Sequence, residues 1–600
     1  MSWRFTKQGV EMLKRTPSFV LGLLIGSYSL SATAVFKAPP TAKVEPGQAE
    51  PFCNSGAPPE WRQAQTVEGV AIQESRSCNP DNPNDVAAFV KGTNNISMET
   101  LMDTSNVAAD TLTLTNDMDK DGDPDHYVIK LEIMEVNGHS PDFPGVVPTY
   151  DIAPGIQPTF WVFTPKSRDM STRSFASAEA NPLLRMPSPP IRVEQGDVVW
   201  LVVENSHYFP HSIHLHGVDH PFIDHGGEGN DGVGQTSEMD IMPGQSKTYV
   251  IRPRQPGTMY YHCHVQPHTH IPMGLAGMFI VEENRPNNWP QVFNIGAGQV
   301  RHPSVAVLEK YKQEYDLQYS SVDKELHQIP QSANDVRLIA KKMNQEYDIT
   351  DAKDDYYLLN GRAFPYTLRE SLITVNPNEK TKIRVLNGHT EPLALHIHGH
   401  KATETHYDGV QQNPSAQVTR DVYSMAPAQR LDLVLDSTDD GLHSFGSGLW
   451  MFHDHTEKAF TTDGMGEGGS ISLVAYKDYV DENGTPKSHG MDLKPYFTKE
   501  FWERKLPVWQ EYMGDGSLGA PAGTMDTKPG INSGNEIVPP QSQPAGAVAT
   551  GTAQGATPST SGNGLFSGIL LGVAAYFLYL KREKVMALLG QLPLPIKNKQ

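Results

Sequence analysis

The chain is poor in cysteine, with three in 600 residues. That excludes a disulfide-rich scaffold and any metal site built from four thiolates of one chain. Positive charge is also scarce: 49 Lys and Arg stand against 69 Asp and Glu, a net charge of −20. Phosphate binding needs clustered basic side chains, so nucleic acid is excluded as a partner. Only 38% of the residues are hydrophobic, which excludes a polytopic membrane protein but is enough for soluble cores. A chain this long exceeds one compact core and predicts about two to four domains. Long helical patterns are few, and 51 Gly with 47 Pro mark many turns, so an all-β protein is expected. Histidine is abundant, at 23 residues, and directs attention to metal chemistry.

The two ends read as targeting segments. Arg4, Lys7, Lys14 and Arg15 precede an apolar run from Phe19 to Leu30, and Ala32-Thr33-Ala34 offers a cleavage site. Residues 1–34 are expected to be a signal peptide, with an uncleaved N-terminal anchor as the alternative. A second apolar run, Leu565 to Leu580, is followed at once by Lys581-Arg582. It predicts a transmembrane helix over 564–581, a cytoplasmic tail over 582–600 and an exported body facing the periplasm or extracytoplasmic side. Residues 514–563 are Gly, Pro, Ser, Thr, Ala and Gln with few large apolar side chains, the composition of a flexible linker. Residues 478–513 form a C-terminal extension and 35–125 an N-terminal one. Cys53 and Cys78 in the latter can pair in an oxidising compartment.

Asp117, Asp119, Asp121, Gly122, Asp123 and Asp125 form a D-x-D-x-D-G-D-x-D run. Alternating carboxylates on a glycine turn suit a hard cation such as calcium. An EF-hand would need Glu where Val128 stands. The run reads either as a shorter calcium loop or as a solvated acidic turn.

The body holds an internal repeat. Pro190 to Asp197 leads into Val198–Val203 and then His-Leu-His-Gly at 214–217. Leu372 to Pro377 leads into Ile383–Leu386 and then His-Ile-His-Gly at 396–399. Gly257-Thr-Met-Tyr-Tyr-His262 matches Gly448-Leu-Trp-Met-Phe-His453. Short alternating segments between Pro-Gly turns read as strands of antiparallel sandwiches. The expected units are 126–285 and 286–477. Helix-like charge spacing over Val305 to Glu314 and Asn334 to Asn344 marks an inserted connection.

Four His-x-His pairs stand in register across the repeat: His214/His216, His262/His264, His396/His398 and His453/His455. On a strand both imidazoles of a pair share one face. Eight imidazoles can hold three metal ions and leave positions for a small substrate. The first unit adds His211, Cys263, His268 and Met273, a thiolate, two imidazoles and a thioether, the donor set of a blue-copper site. In the second unit Leu393, Asp454, Ala459 and Gly464 replace them, so one such site is expected.

His-Ser-Ile-His-Leu-His-Gly (211–217) with His-Cys-His-Val-Gln-Pro-His-Thr-His-Ile-Pro-Met (262–273) resembles the multicopper oxidase family. With the second unit's His-Ile-His-Gly and His-Asp-His, it is most similar to two-domain, laccase-like members with type 1 copper in domain one. The resemblance covers about residues 126–477 and implies two consecutive cupredoxin-like Greek-key β-sandwiches. It assigns His211, Cys263, His268 and Met273 to type 1 copper, and His214 and His396 to type 2. It assigns His216, His262, His264, His398, His453 and His455 to the type 3 pair. It thus implies about four coppers per chain, with donor electrons entering at type 1 and O2 reduced to water at the trinuclear cluster. Cys263 is covalently flanked by His262 and His264, which provides a path between the sites. Asp219 is where the similar proteins carry a proton-delivering carboxylate; a turn or salt-bridging Asp is the alternative. His207, His220, His225, His270, His400 and His406 read as surface or hydrogen-bonded histidines.

The same resemblance implies a homotrimer in which domain one of one subunit completes a cluster with domain two of the next. A copper nitrite reductase shares the two domains and the trimer but needs only three imidazoles at its catalytic copper. A non-catalytic periplasmic copper-binding protein is the other alternative, and oxygen uptake with a generic donor separates it. The donor itself, whether phenolic, a metal ion or a redox protein, is not legible.

Overall fold

A computed structural model describes residues 107–140, 143–146, 150–166 and 185–504, apart from 225, 287, 295–297, 300–310, 482–485, 491 and 494, together with the short strands Gln65–Val67 and Val70–Ile72. The expected signal segment, the cysteines at 53 and 78, the linker, the transmembrane helix and the tail lie outside the described residues. No helix among the described residues is long and apolar enough to cross a membrane.

The described chain is mostly strand, arranged as two cupredoxin-like sandwiches. In the first, one sheet runs in the order His214–His216, Gly257–His262, Ala276–Glu282, Ile191–Glu194. The other runs Ser246–Ile251, Val198–Asn205, His126–Val136, Leu112–Thr115, with Phe160–Pro165 also pairing to His126–Val136. The unit therefore takes in a strand before residue 126. Period-two burial explains the arrangement: Tyr127, Ile129, Leu131 and Ile133 point into the core while the residues between them are half-exposed. The second sandwich repeats the plan. One sheet has the order Ile373–Val375, Ser472–Tyr476, Leu449–Asp454, Leu393–Ile397, Val422–Met425. The other centres on Gln313–Asp323, Lys380–Gly388, Arg430–Asp436 and Ala402–Tyr407.

The connection between the units is partly helical. Val336–Lys341 is an α-helix capped by the Asp335 side chain, as the charge spacing predicts. Glu314, in contrast, lies on the strand Gln313–Asp323, because its neighbours pair with Lys380–Gly388. Leu326, Ile339 and Met343 from this connection enter the core of the first sandwich and close it.

Two further contacts join the sandwiches. An apolar cluster combines Val136, Phe160 and Val162 with Leu358, Phe364, Ile471 and, from the C-terminal extension, Tyr496, Phe501 and Trp502. Beside it runs a buried ionic network. Arg192 of the first unit places Nη2 2.6 Å from both oxygens of Asp316 in the second. Arg384 pairs with Glu314 and with Asp432, which accepts the Thr258 hydroxyl. Removing one member of such a network strands a buried charge, so it ties the two units together.

Candidate copper centres

Strand register builds the histidine clusters. His214 stands opposite His262 across one antiparallel pair, and His396 opposite His453 across its counterpart. Directly opposed side chains are neighbours, and residues two apart share a face. His214, His216 and His262 accordingly bring ligand nitrogens within 4.8 Å of one another, as do His396, His398 and His453. His264 and His455 extend the two sets by ring contacts with His214 and His396. Among the described residues no ring of one set lies beside a ring of the other.

Main-chain carbonyls determine which nitrogens face inward. His214 Nδ1 is 2.6 Å from the Asp231 carbonyl, His262 Nδ1 2.8 Å from that of Cys263, and His453 Nδ1 2.9 Å from that of Asp454. A carbonyl only accepts, so these Nδ1 atoms carry the proton and leave each Nε2 with a free lone pair. The Nε2 atoms of His216 and His262 then meet at 2.9 Å, and those of His398 and His453 at 3.2 Å. Burial holds these rings neutral: it lowers His262 to about 3 and His216 and His453 to about 4, with neighbouring imidazoles adding to the shift. His264 Nδ1 and His396 Nδ1 are buried without a hydrogen-bond partner. Converging, neutral imidazoles with orphaned nitrogens fit a soft-to-intermediate metal ion.

A third group forms next to the first set. His211, Cys263 and His270 are fully buried and bring their ligand atoms together. Cys263 Sγ lies 3.6 Å from His211 Nδ1 and 3.4 Å from His270 Nδ1. Cys263 is a free thiol, and burial pushes it up to about 12. Burial lowers His270 to about 3 and holds His211 well below its ordinary value. A dry pocket that holds neutral imidazoles around a protonated thiol is suited to a metal ion that takes the proton's place. Met273 is buried beneath the same short helix.

Here the expected ligand set is corrected. His268 is exposed and lies outside the cluster, and His270 takes its place. Both sit on the helix Pro267–His270. Residues two apart on a helix are turned by about 200°, so only one can face Cys263. Met273 N bonds back to the Thr269 carbonyl at 3.0 Å, continuing the turn. His270 and Met273, three apart, therefore share a face, and that spacing was the signal to read.

Asp219 is corrected as well. Its Oδ1 accepts from Arg254 Nη2 at 2.7 Å, and this hydrogen bond lowers its pKa; it is a surface salt bridge. A carboxylate that does lie beside the first histidine set is Asp231. Its Oδ1 is 3.0 Å from His220 Nε2 and 3.5 Å from His214 Nδ1. His220 Nδ1 lies 2.9 Å from the Val218 carbonyl, so both nitrogens of His220 face oxygen acceptors. His207 is also no surface residue. It is buried with Nδ1 2.8 Å from His211 Nε2, and its Nε2 lies 3.7 Å from Glu135. Among the acidic run, Asp117, Asp119 and Asp125 converge.

The sequence description of the multicopper oxidases matches residues 184–286, which contain the thiolate cluster and first histidine set, and again residues 338–467, which contain the second. Both matched segments are multicopper oxidase domains in sequence. Copper is therefore the metal these donor sets serve. Copper resistance protein A of Escherichia coli is 26% identical over 302 residues, 48% of this chain and 47% of that protein. Multicopper oxidase mco of Staphylococcus haemolyticus is 24% identical over 255 residues, 41% of this chain and 46% of that protein. The chain spans about half the length of these curated relatives. Among solved structures, multicopper oxidase mgLAC aligns at 22% identity and TM-score 0.44, covering 63% of this chain and 94% of that one. A blue copper oxidase from Nitrosomonas europaea aligns at 22% identity and TM-score 0.42, covering 66% and 95%.

Proposed function

We propose that the protein couples one-electron oxidation of a donor near Cys263 to the four-electron reduction of O2 to water at the histidine clusters. The observation that carries this reading is the direct peptide linkage of Cys263 to His262 and His264, which belong to the first histidine set. Bound copper supplies the one-electron chemistry. His211, Cys263, His270 and Met273 would hold type 1 copper, His214 and His396 type 2, and the other six strand histidines the type 3 pair. The protein's own groups do the rest. The 214, 262 and 453 rings are locked by carbonyls in the tautomer that presents Nε2. The Asp231–His220 pair stands beside His214, placed to relay protons that O2 reduction consumes. His207 accepts from His211 and steadies the orientation of that ring.

Each chain carries two separate four-histidine sets. That separation supports a reading in which a cluster closes between the first sandwich of one subunit and the second of its neighbour, in a ring of three. The eight-imidazole complement favours the oxidase over nitrite reduction, which uses three. We further place the body outside the cytoplasm, held by the apolar run at 564–581.

Copper content and its EPR-visible fraction test the catalytic reading. About four coppers per chain with half EPR-silent are expected; about two, all visible, would sink it. Sedimentation of the fully loaded protein tests the ring: a monomer that still consumes O2 would overturn it. Membrane fractionation with and without residues 564–600 tests the anchor.

A further inference from the structure

The acidic run ahead of the first sandwich plays no part in the copper chemistry. Asp117, Asp119 and Asp125 place carboxylate oxygens within 4.8 Å of one another. The Asp121 carboxylate lies against Asp119, with both oxygens buried. Asp123 is 2% exposed. Its Oδ2 accepts from Asn288 N at 2.8 Å, but its Oδ1 is buried and meets no donor. The charges of Asp121 and Asp125 stand beside it.

Behind Asp123 lie two more buried acids. Glu194 accepts from Asn288 Nδ2, and Asp197 is fully buried with Oδ1 unpartnered. Among the described residues no Lys or Arg forms an ion pair with any of these seven carboxyl groups. Burying Asp123, Asp125, Glu194 and Asp197 without a counter-charge is costly, and the partnerless oxygens of Asp121 and Asp123 lie where a cation would find hard ligands.

We propose that this loop is a calcium site in which Asp117, Asp119, Asp121 and Asp125 ligate the ion and Asp123 links it to the core. Oxygen-only donors, several of them anionic, select a hard cation over copper. The ion would join three parts of the first sandwich. The loop itself precedes the strand His126–Val136, Asn284 Nδ2 reaches Asp119 Oδ2 at 2.8 Å, and Asn288 N reaches Asp123. Calcium is then a structural ion that fastens the N-terminal edge of the sandwich to the segment leading into the second one.

The test uses the full-length copper-loaded protein dialysed against calcium-free buffer. Equilibrium dialysis with radioactive calcium should show one ion bound per chain, and calcium should raise the melting temperature. The double variant Asp119→Asn/Asp121→Asn should bind at least about tenfold more weakly. It should lose the melting shift while keeping its copper content and visible spectrum. No calcium bound by the wild-type chain at about 1 mM would overturn the site, as would equal binding by the variant. An equal melting shift from magnesium would overturn the assignment to the larger, more loosely coordinated ion.

Discussion

The two sandwiches share strand order and both pairs of strand histidines, yet only one carries a thiolate cluster. In the first, Cys263 follows its strand and faces His211 and His270. In the second, Asp454 holds the corresponding place and does different work. Its Oδ1 accepts from Ala394 N and Thr456 N, each at 3.0 Å, and Oδ2 faces the buried His389 at 3.7 Å. Leu393 stands where His211 does and joins the core. The lesson is that the strand histidines come with the sandwich, whereas the thiolate site depends on loop residues that can be exchanged for a polar strut and an apolar plug.

The sharpest way to break this comparison is Cys263→Ser. It should remove the intense visible band and lower donor oxidation by about 10³-fold or more, read by steady-state O2 uptake. Asp454→Cys should add no second such copper, because Leu393 offers no imidazole; copper content decides. Next, His270→Ala should lose the visible band, while His268→Ala should retain both band and copper. The reverse outcome would restore the original ligand set.

The joint between the sandwiches gives a smaller effect. Arg192→Met leaves Asp316 buried without its guanidinium partner and should cost about 3–5 kcal/mol in denaturant unfolding. The smallest effect comes from the polar strut. Burial lowers His389 to about 4, against an ordinary unfolded value of about 6.5. Its neutral form is favoured in the fold, so its contribution is complete above the unfolded value. It is lost as pH falls from about 6.5 towards 4, by up to about 3 kcal/mol. His389→Phe should flatten the fall in melting temperature between pH 7 and pH 5 by a corresponding share.

Much of the site was legible in the chain because it depends on local periodicity. Period two puts His214 with His216 and His396 with His398 on one face whatever surrounds them. The repeat announced that these pairs would face His262 and His453, and the match across units announced the sandwiches. The acidic run was visible for the same reason, as alternation about a glycine. The strand at Gln313–Asp323 was missed because its charged positions mimic a helix. Its partner strand, distant in sequence, supplies the hydrogen bonds that decide between them.

Choices between near neighbours needed three dimensions. His268 and His270 are equivalent in composition and differ only by the turn of a four-residue helix. Asp219 and Asp231 are both close in sequence to the first His-x-His. Only the fold sends one to Arg254 at the surface and the other to His220 and His214. The burial of His207, the pairing of Arg192 with Asp316 and the partnerless oxygen of Asp123 likewise arise where segments distant in the chain meet. By itself the sequence determined which donor atoms the protein has and which strands present them, since strand geometry is local. Tertiary structure decided which of those donors converge, because convergence depends on packing between segments that the chain order does not reveal.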